Sequence, residues 1–171
     1  MNGIKTGELV FYPLHGVGLL EEKVTLPYED KQKDYFKVYF EELKMNIFIP
    51  EDSAEQQGVR PLSTPETLER SKTLFFERFR ELPELASDRK KILTQKLRSG
   101  DILNVTEVIR DLVCAPKYDL RLSSQDKLLL EAACNLLKNE LMHVLSISSE
   151  QAADSLKKTI NLRLKHKSES L

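Results

Sequence analysis

Hydrophobic and polar positions change period once along this chain. Between Glu8 and Pro50, apolar residues gather in short runs at 9–12, 17–22, 35–40 and 45–49, rich in β-branched, aromatic and aliphatic side chains. Pro13, Gly16, the polar stretch 28–34 and the segment 41–44 separate them. The spacing predicts four short strands in a small sheet or a partly open barrel. The third run, Tyr35-Phe36-Lys37-Val38-Tyr39-Phe40, is apolar on both sides of the pleat apart from Lys37, which predicts a central position. The fourth, Met45-Asn46-Ile47-Phe48-Ile49, runs into Pro50, which cannot donate to a ladder; it reads as an edge strand.

After a single helical turn predicted at 52–57 and ended by Gly58, the apolar period lengthens to about three and a half residues and stays there. Ser63 or Thr64 caps a helix with Pro65 in its first position and Leu68, Lys72, Phe75, Phe79 and Leu82 on one stripe, and Pro83 is its predicted stop. Further helices are predicted over 87–97 and over 102–113, the latter ended by Pro116. The longest opens at Ser123-Ser124-Gln125-Asp126, a capping box with Asp in the usual Glu position, and should form the centre of the bundle. Ser149 caps a last helix, and 165–171 should fray. The fold class is therefore α+β, a small N-terminal β module over 1–62 followed by a helical bundle over 63–171.

The helices at 87–97 and 102–113 meet in a corner. Gly100 can take the positive φ of a helix stop, and Asp101 is a good N-cap for the helix that follows. In that helix Ile102, Val105, Val108, Ile109 and Leu112 share one face, while Asn104, Glu107, Arg110 and Asp111 fall mostly on the other. Arg110 is expected to pair with Glu107 or Asp111.

Charge adds an asymmetry. The 26 basic and 27 acidic residues nearly cancel, for a net charge of -1 and a pI near 6.3, which is no nucleic-acid signature. Residues 1–62, however, hold 7 basic and 11 acidic side chains, and the remainder 19 and 16. An acidic half and a mildly basic half suggest different partners. Cys114 and Cys134 lack a CxxC or His-rich setting and read as core residues of a reducing compartment. The N-terminus has no signal-peptide layout and no apolar run is long enough to span a bilayer, so a cytoplasmic protein without a membrane partner is expected.

An enzyme reading finds little support. His15, His143 and His166 fall in different predicted elements, and the glycines of His15-Gly16-Val17-Gly18 lead into a strand, where a phosphate loop would lead into a helix. Neither a catalytic set nor a metal, cofactor or small-molecule substrate is indicated. The basic residues say more. Arg89, Lys90, Lys91, Lys96 and Arg98 crowd one short helix, with Lys91 and Arg98 close together on the wheel and roughly opposite Ile92, Leu93 and Leu97. They could reach phosphates together, although exposed helix faces in charged proteins commonly carry lysines.

The opening Gly7-Glu8-Leu9-Val10-Phe11-Tyr12-Pro13-Leu14-His15-Gly16-Val17-Gly18 resembles that of the CarD/CdnL family of bacterial transcription regulators and of the related module in transcription-repair coupling factors. The likeness continues through Phe48-Ile49-Pro50, Gly58-Val59-Arg60, Lys96-Leu97-Arg98-Ser99-Gly100-Asp101, Val105-Thr106-Glu107-Val108-Ile109-Arg110-Asp111-Leu112, Leu122-Ser123 and Glu140-Leu141. It implies a Tudor-like β module that docks on the β subunit of RNA polymerase, followed by a helical domain that touches promoter DNA at the upstream edge of the bubble. Residues 45–49 are then the candidate docking edge, by strand addition. Arg89 and Lys91 align with basic family positions, and with Lys90, Arg98 and Lys127 on the long helix they are the DNA-binding candidates.

Two departures stand out. Several CarD-like proteins carry a wedge tryptophan just before the basic helix, at about the position of Ala86, and this chain has no Trp. A basic residue often found two before the proline of the edge strand is Phe48 here, which makes docking weaker or more apolar. The competing expectations are a polymerase-bound adaptor without productive DNA contact, favoured by the missing Trp, and an architectural DNA-binding protein independent of polymerase, opposed by the weak net charge.

Overall fold

The computed structural model describes residues 4–165; of the stretch 165–171 predicted to fray, Lys165 is helical and 166–171, with His166, lie outside them. Five strands precede five α-helices, and the chain divides into two units, Met1–Leu62 with Arg98–Gly100, and Ser63–Leu97 with Asp101–Leu171.

In the first unit, β1 (Leu9–Tyr12), β2 (Gly16–Tyr28), β3 (Lys31–Phe40), β4 (Met45–Pro50) and β5 (Arg60–Pro61) form one antiparallel sheet in the order β4-β3-β2-β1-β5. The alternation of a pleated strand sends Val10 and Tyr12, Leu20, Phe36, Val38 and Phe40, and Ile49 to one face, where Ala54 and Val59 close the core. Gly18 is required by packing, since a Cβ there would meet Val38 Cγ1 at 2.6 Å and Phe40 Cε1 at 2.8 Å. Within the same unit, Arg60 Nε donates to Gly100 O at 2.6 Å while its guanidinium lies 4.2 Å from the Phe11 ring centroid.

Two differences from the sequence pattern have physical causes. The polar stretch 28–34 is mostly strand, because β2 and β3 form a long hairpin turning at Glu29-Asp30. Out there most side chains on both faces meet solvent, so the alternation that marks a half-buried strand fades while the ladder persists. Thr25 Oγ1 donates to Asp34 Oδ1 at 2.7 Å across it. The fifth strand is two residues long, too short for any periodic signal, and pairs with Val10 and Phe11.

In the second unit, α1 (Pro65–Phe76), α2 (Ala86–Arg98), α3 (Ile102–Cys114), α4 (Ser124–Leu145) and α5 (Ser149–Lys165) follow, with a 3-10 turn over Ala115–Tyr118. Thr64 caps α1 and Asp101 caps α3, accepting from Leu103 N at 2.8 Å. Val105, Val108, Ile109 and Leu112 of α3 are fully buried, and Ala133, Leu136 and Leu137 of α4 join them in the core.

The predicted stop of α1 at Pro83 is corrected to Phe76. Arg163 near the end of α5 donates to Phe76 O at 2.8 Å and Glu77 O at 2.7 Å, and the chain beyond is held by tertiary bonds in place of helical ones. Arg80 N donates to Asp111 Oδ1 at 3.0 Å, and Leu82 N to the Tyr118 hydroxyl at 3.0 Å. The cap of α5 is Ser148 and not Ser149: its Oγ accepts from Gln151 N at 3.1 Å, and Gln151 Oε1 returns an acceptor to Ser148 N at 2.9 Å.

Candidate functional site

Each unit presents one surface of interest. In the sheet unit it is β4, which ends the strand order and has no strand on its outer side among the described residues. Register places Asn46 beside Tyr39, Ile47 beside Val38, Phe48 beside Lys37 and Ile49 beside Phe36. Ile49 and Ile47 therefore face the core side, Ile49 fully buried, so at Ile49 only the backbone is open to a partner. Phe48 and Asn46 project from the opposite face. Phe48 is 45% exposed and Met45, at the strand's start, 50%. Lys37, across from Phe48, is occupied by Glu21 at 3.1 Å and Glu22 at 3.0 Å, which hold its ammonium group above the ordinary lysine range. An unpaired strand edge flanked by two exposed apolar side chains can accept another strand backbone to backbone, with apolar side-chain contacts on both faces.

In the helical unit the predicted basic residues separate. Lys90 and Lys91 on α2, and Lys127 on α4, are exposed and make no ion pair among the described residues, while Arg98, the last residue of α2 and likewise exposed, falls in the sheet unit. Lys96 is partly buried and bound to Glu107 at 2.6 Å. Arg89, read from sequence as a phosphate contact, is corrected: it is 2% exposed. Its Nε and Nη2 grip the Asp126 carboxylate, Nη2 to Oδ2 at 2.8 Å, and its Nη1 donates to Pro83 O at 2.8 Å and to Glu84 O. Asp126 is also the capping-box residue of α4, accepting from Ser123 N and Ser123 Oγ at 2.8 Å each. Burial alone would raise the Asp126 carboxyl; the bonds from Arg89 and Ser123 outweigh it and hold the group below the usual carboxylate range.

The reason for the error lies in the wheel. The face of α2 that packs inward is Arg89, Leu93 and Leu97, at i, i+4 and i+8, whereas Ile92 is exposed. That spacing was present in the sequence, and so was an acidic capping residue in Asp126; together they mark Arg89 as an inward-facing cation with a partner available. A second residue had no sequence signal. Leu85, directly before α2, is 66% exposed, the most open of the large apolar side chains among the described residues. Its carbonyl accepts from Asp88 N and Arg89 N at 3.1 Å each, which seats it on the first turn of the helix.

Arg110 is buried and paired with Asp111 at 2.8 Å, as its neighbours on α3 suggest, so it is no surface cation. Cys114 is buried, and burial pushes the Cys134 thiol up to about 11, out of the range of a reactive thiolate. His15 packs edge-on against Tyr12 and Phe40, each with ring centroids 5.5 Å away. Among the described residues no group of three or more His, Cys, Asp or Glu could hold a metal ion, and no helix is long and apolar enough to cross a membrane.

Comparison with known proteins agrees with this division. The model for the CarD-like/TRCF RID domain matches residues 4–63, and that for the CarD C-terminal domain matches residues 73–157. A Bacillus subtilis (strain 168) protein described as "Putative transcription factor YdeB" is 28% identical over 147 residues, covering 85% of this chain and 94% of that one.

Proposed function

From the premise that the chain belongs to the CarD family of transcription regulators, we propose that it docks on the β subunit of RNA polymerase through β4 and contacts promoter DNA through α2 and α4. The observation that carries the reading is the open edge of β4 with Met45 and Phe48 exposed beside it, inside the segment that matches the RID model. Phe48 makes this docking apolar in character. Strand addition then supplies most of the affinity through the backbone, and the partner segment carries apolar side chains opposite Phe48 and Met45.

The DNA half rests on Lys90, Lys91 and Lys127 of the helical unit, exposed and unpaired among the described residues. A net charge of -1 is no obstacle to it, because a domain tethered beside DNA needs few phosphate contacts when its effective concentration is high. Leu85 offers an aliphatic contact close to the position, about Ala86, where several family members carry tryptophan, and leucine is among the side chains that wedge between base steps. Contacts made with DNA in only one promoter state shift the balance between closed and open complexes. Replacing Lys91 and Lys127 together with Ala lowers the salt dependence of the polymerase–promoter–protein complex by about one unit per lost phosphate contact. An unchanged salt slope contradicts the DNA half. The competing adaptor reading, favoured by the burial of Arg89 and the absence of Trp, predicts instead that the protein leaves the upstream fork unprotected in a footprint.

A further inference from the structure

Resting on that DNA reading, we propose that Arg89 is a positioning residue: its buried bond to Asp126 ties the first turn of α2 to the first turn of α4 and so fixes the two helix starts that carry Lys91 and Lys127 relative to one another.

All three guanidinium nitrogens of Arg89 are engaged in the interior: Nε and Nη2 donate to Asp126 and Nη1 to the carbonyls of Pro83 and Glu84, and burial keeps the group from any phosphate. Asp126 in turn is fixed by both hydrogen bonds of the α4 cap. The consequence is a rigid chain of contacts from the loop before α2, through Arg89 and Asp126, into the start of α4. Lys127 is the next residue after Asp126, and Lys91 lies two residues after Arg89. The two surface cations are thus each within two residues of the joint, on opposite sides of it. The packing between α2 and the rest of its unit is otherwise thin, with Leu93 and Leu97 as the buried apolar contributions of the helix. A planar fork that meets a carboxylate with two bonds sets orientation as well as distance, and a lysine in its place cannot. The same bonds strap the residues on either side of Leu85's entry into α2, so the exposed leucine is carried on the same frame.

The test uses a change whose simple charge effect has the opposite sign. Asp126→Asn removes a negative charge beside the DNA-facing lysines and leaves an amide oxygen for the cap. The full-length protein is measured on a polymerase–promoter complex over a salt series, beside Lys91→Ala/Lys127→Ala. If Arg89 positions the surface, Asp126→Asn weakens association and lowers the salt slope by about one unit, as one of the two lysines loses its phosphate. Arg89→Lys, which keeps the charge, does the same, and Asp126→Glu restores most of the loss. If Arg89 were a phosphate ligand held in reserve, Asp126→Asn would release it, and both affinity and slope would rise; an unchanged or higher slope overturns the proposal. Where Asp126→Asn melts below the assay temperature, Arg89→Lys answers the same question, since retained affinity and slope in that variant also overturn it. A flat response to Lys91→Ala/Lys127→Ala removes the DNA reading itself; a normal response there with no loss in Asp126→Asn removes only the role given to Arg89.

Discussion

The two units use charge in opposite ways. In the sheet unit the ion pairs decorate the outside: Lys23–Glu51, Lys33–Asp52 and Lys37 with Glu21 and Glu22 bridge neighbouring strands and turns in solvent. The core beneath them is entirely apolar apart from the Tyr12 hydroxyl, which donates to Gln57 Oε1 at 3.0 Å. In the helical unit the charges are inside. Arg89–Asp126 and Arg110–Asp111 are almost fully buried, Glu140 accepts from Ser63 N at 2.7 Å without exposure, and Arg163 holds the end of α1. Alternation of apolar residues is enough to place strands, because a one-residue slip turns the whole apolar set outward. Helices joined by loops have no such constraint, and here buried charges supply part of it, at the end of α1 and the start of α4.

The difference is sharpest in its energetic consequences. Arg110→Met leaves Asp111 buried without its cation and should cost about 3–5 kcal/mol of unfolding free energy in a denaturant titration. Removing both charges, with Arg110→Met and Asp111→Asn together, should recover part of that loss; no recovery would mean that Arg110 acts through packing and not through its partner. Acid should find the same weakness. The Asp126 carboxyl titrates lower in the folded chain than its usual value, so its contribution is complete above about pH 3.9 and is lost only as pH falls through the depressed folded value. Melting curves between neutral and acidic pH should therefore stay flat with respect to this pair until below the ordinary carboxylate range. A loss of stability in Asp126→Asn that is equal at all pH values would break this account.

Smaller effects belong to the sheet unit. Gly18→Ala presses a methyl group into Val38 and Phe40 and should cost about 1–3 kcal/mol, the range of an overpacked core. Lys23→Ala, which removes one of the exposed bridges, should cost under about 1 kcal/mol in the same titration. A larger loss there would erase the contrast between the units.

The legibility of the sequence follows the same line. The four strand runs, the position of β4 at the sheet edge and the caps at Thr64, Asp101 and Ser123 are local signals, and each is found where its residues point. The end of α1 is not local: it is set by Arg163, which lies 87 residues beyond Phe76 in sequence, while the nearby Pro83 gives a misleading stop. The distal hairpin lost its alternation because solvent lies on both faces. Lys90, Lys91, Arg98 and Lys127 occupy the surface as their charge suggests. Arg89 directly precedes Lys90 and Lys91 in sequence yet belongs to the core, because its spacing with Leu93 and Leu97 outweighs its charge once Asp126 is there to receive it. Leu85 shows the converse, a large apolar side chain left outside with no periodic pattern around it to mark it.

The central claim is that β4 is the docking edge, and Phe48 is the place to test it. The side chain projects away from the sheet core, so Phe48→Glu removes the apolar contact and sets a carboxylate on the edge without opening a cavity. The measurement is retention of RNA polymerase by the full-length protein, wild type against Phe48→Glu, with thermal melting as the control for folding. Loss of the polymerase β subunit from a variant that melts like the wild type is the predicted result. Equal retention by the two proteins would contradict the account.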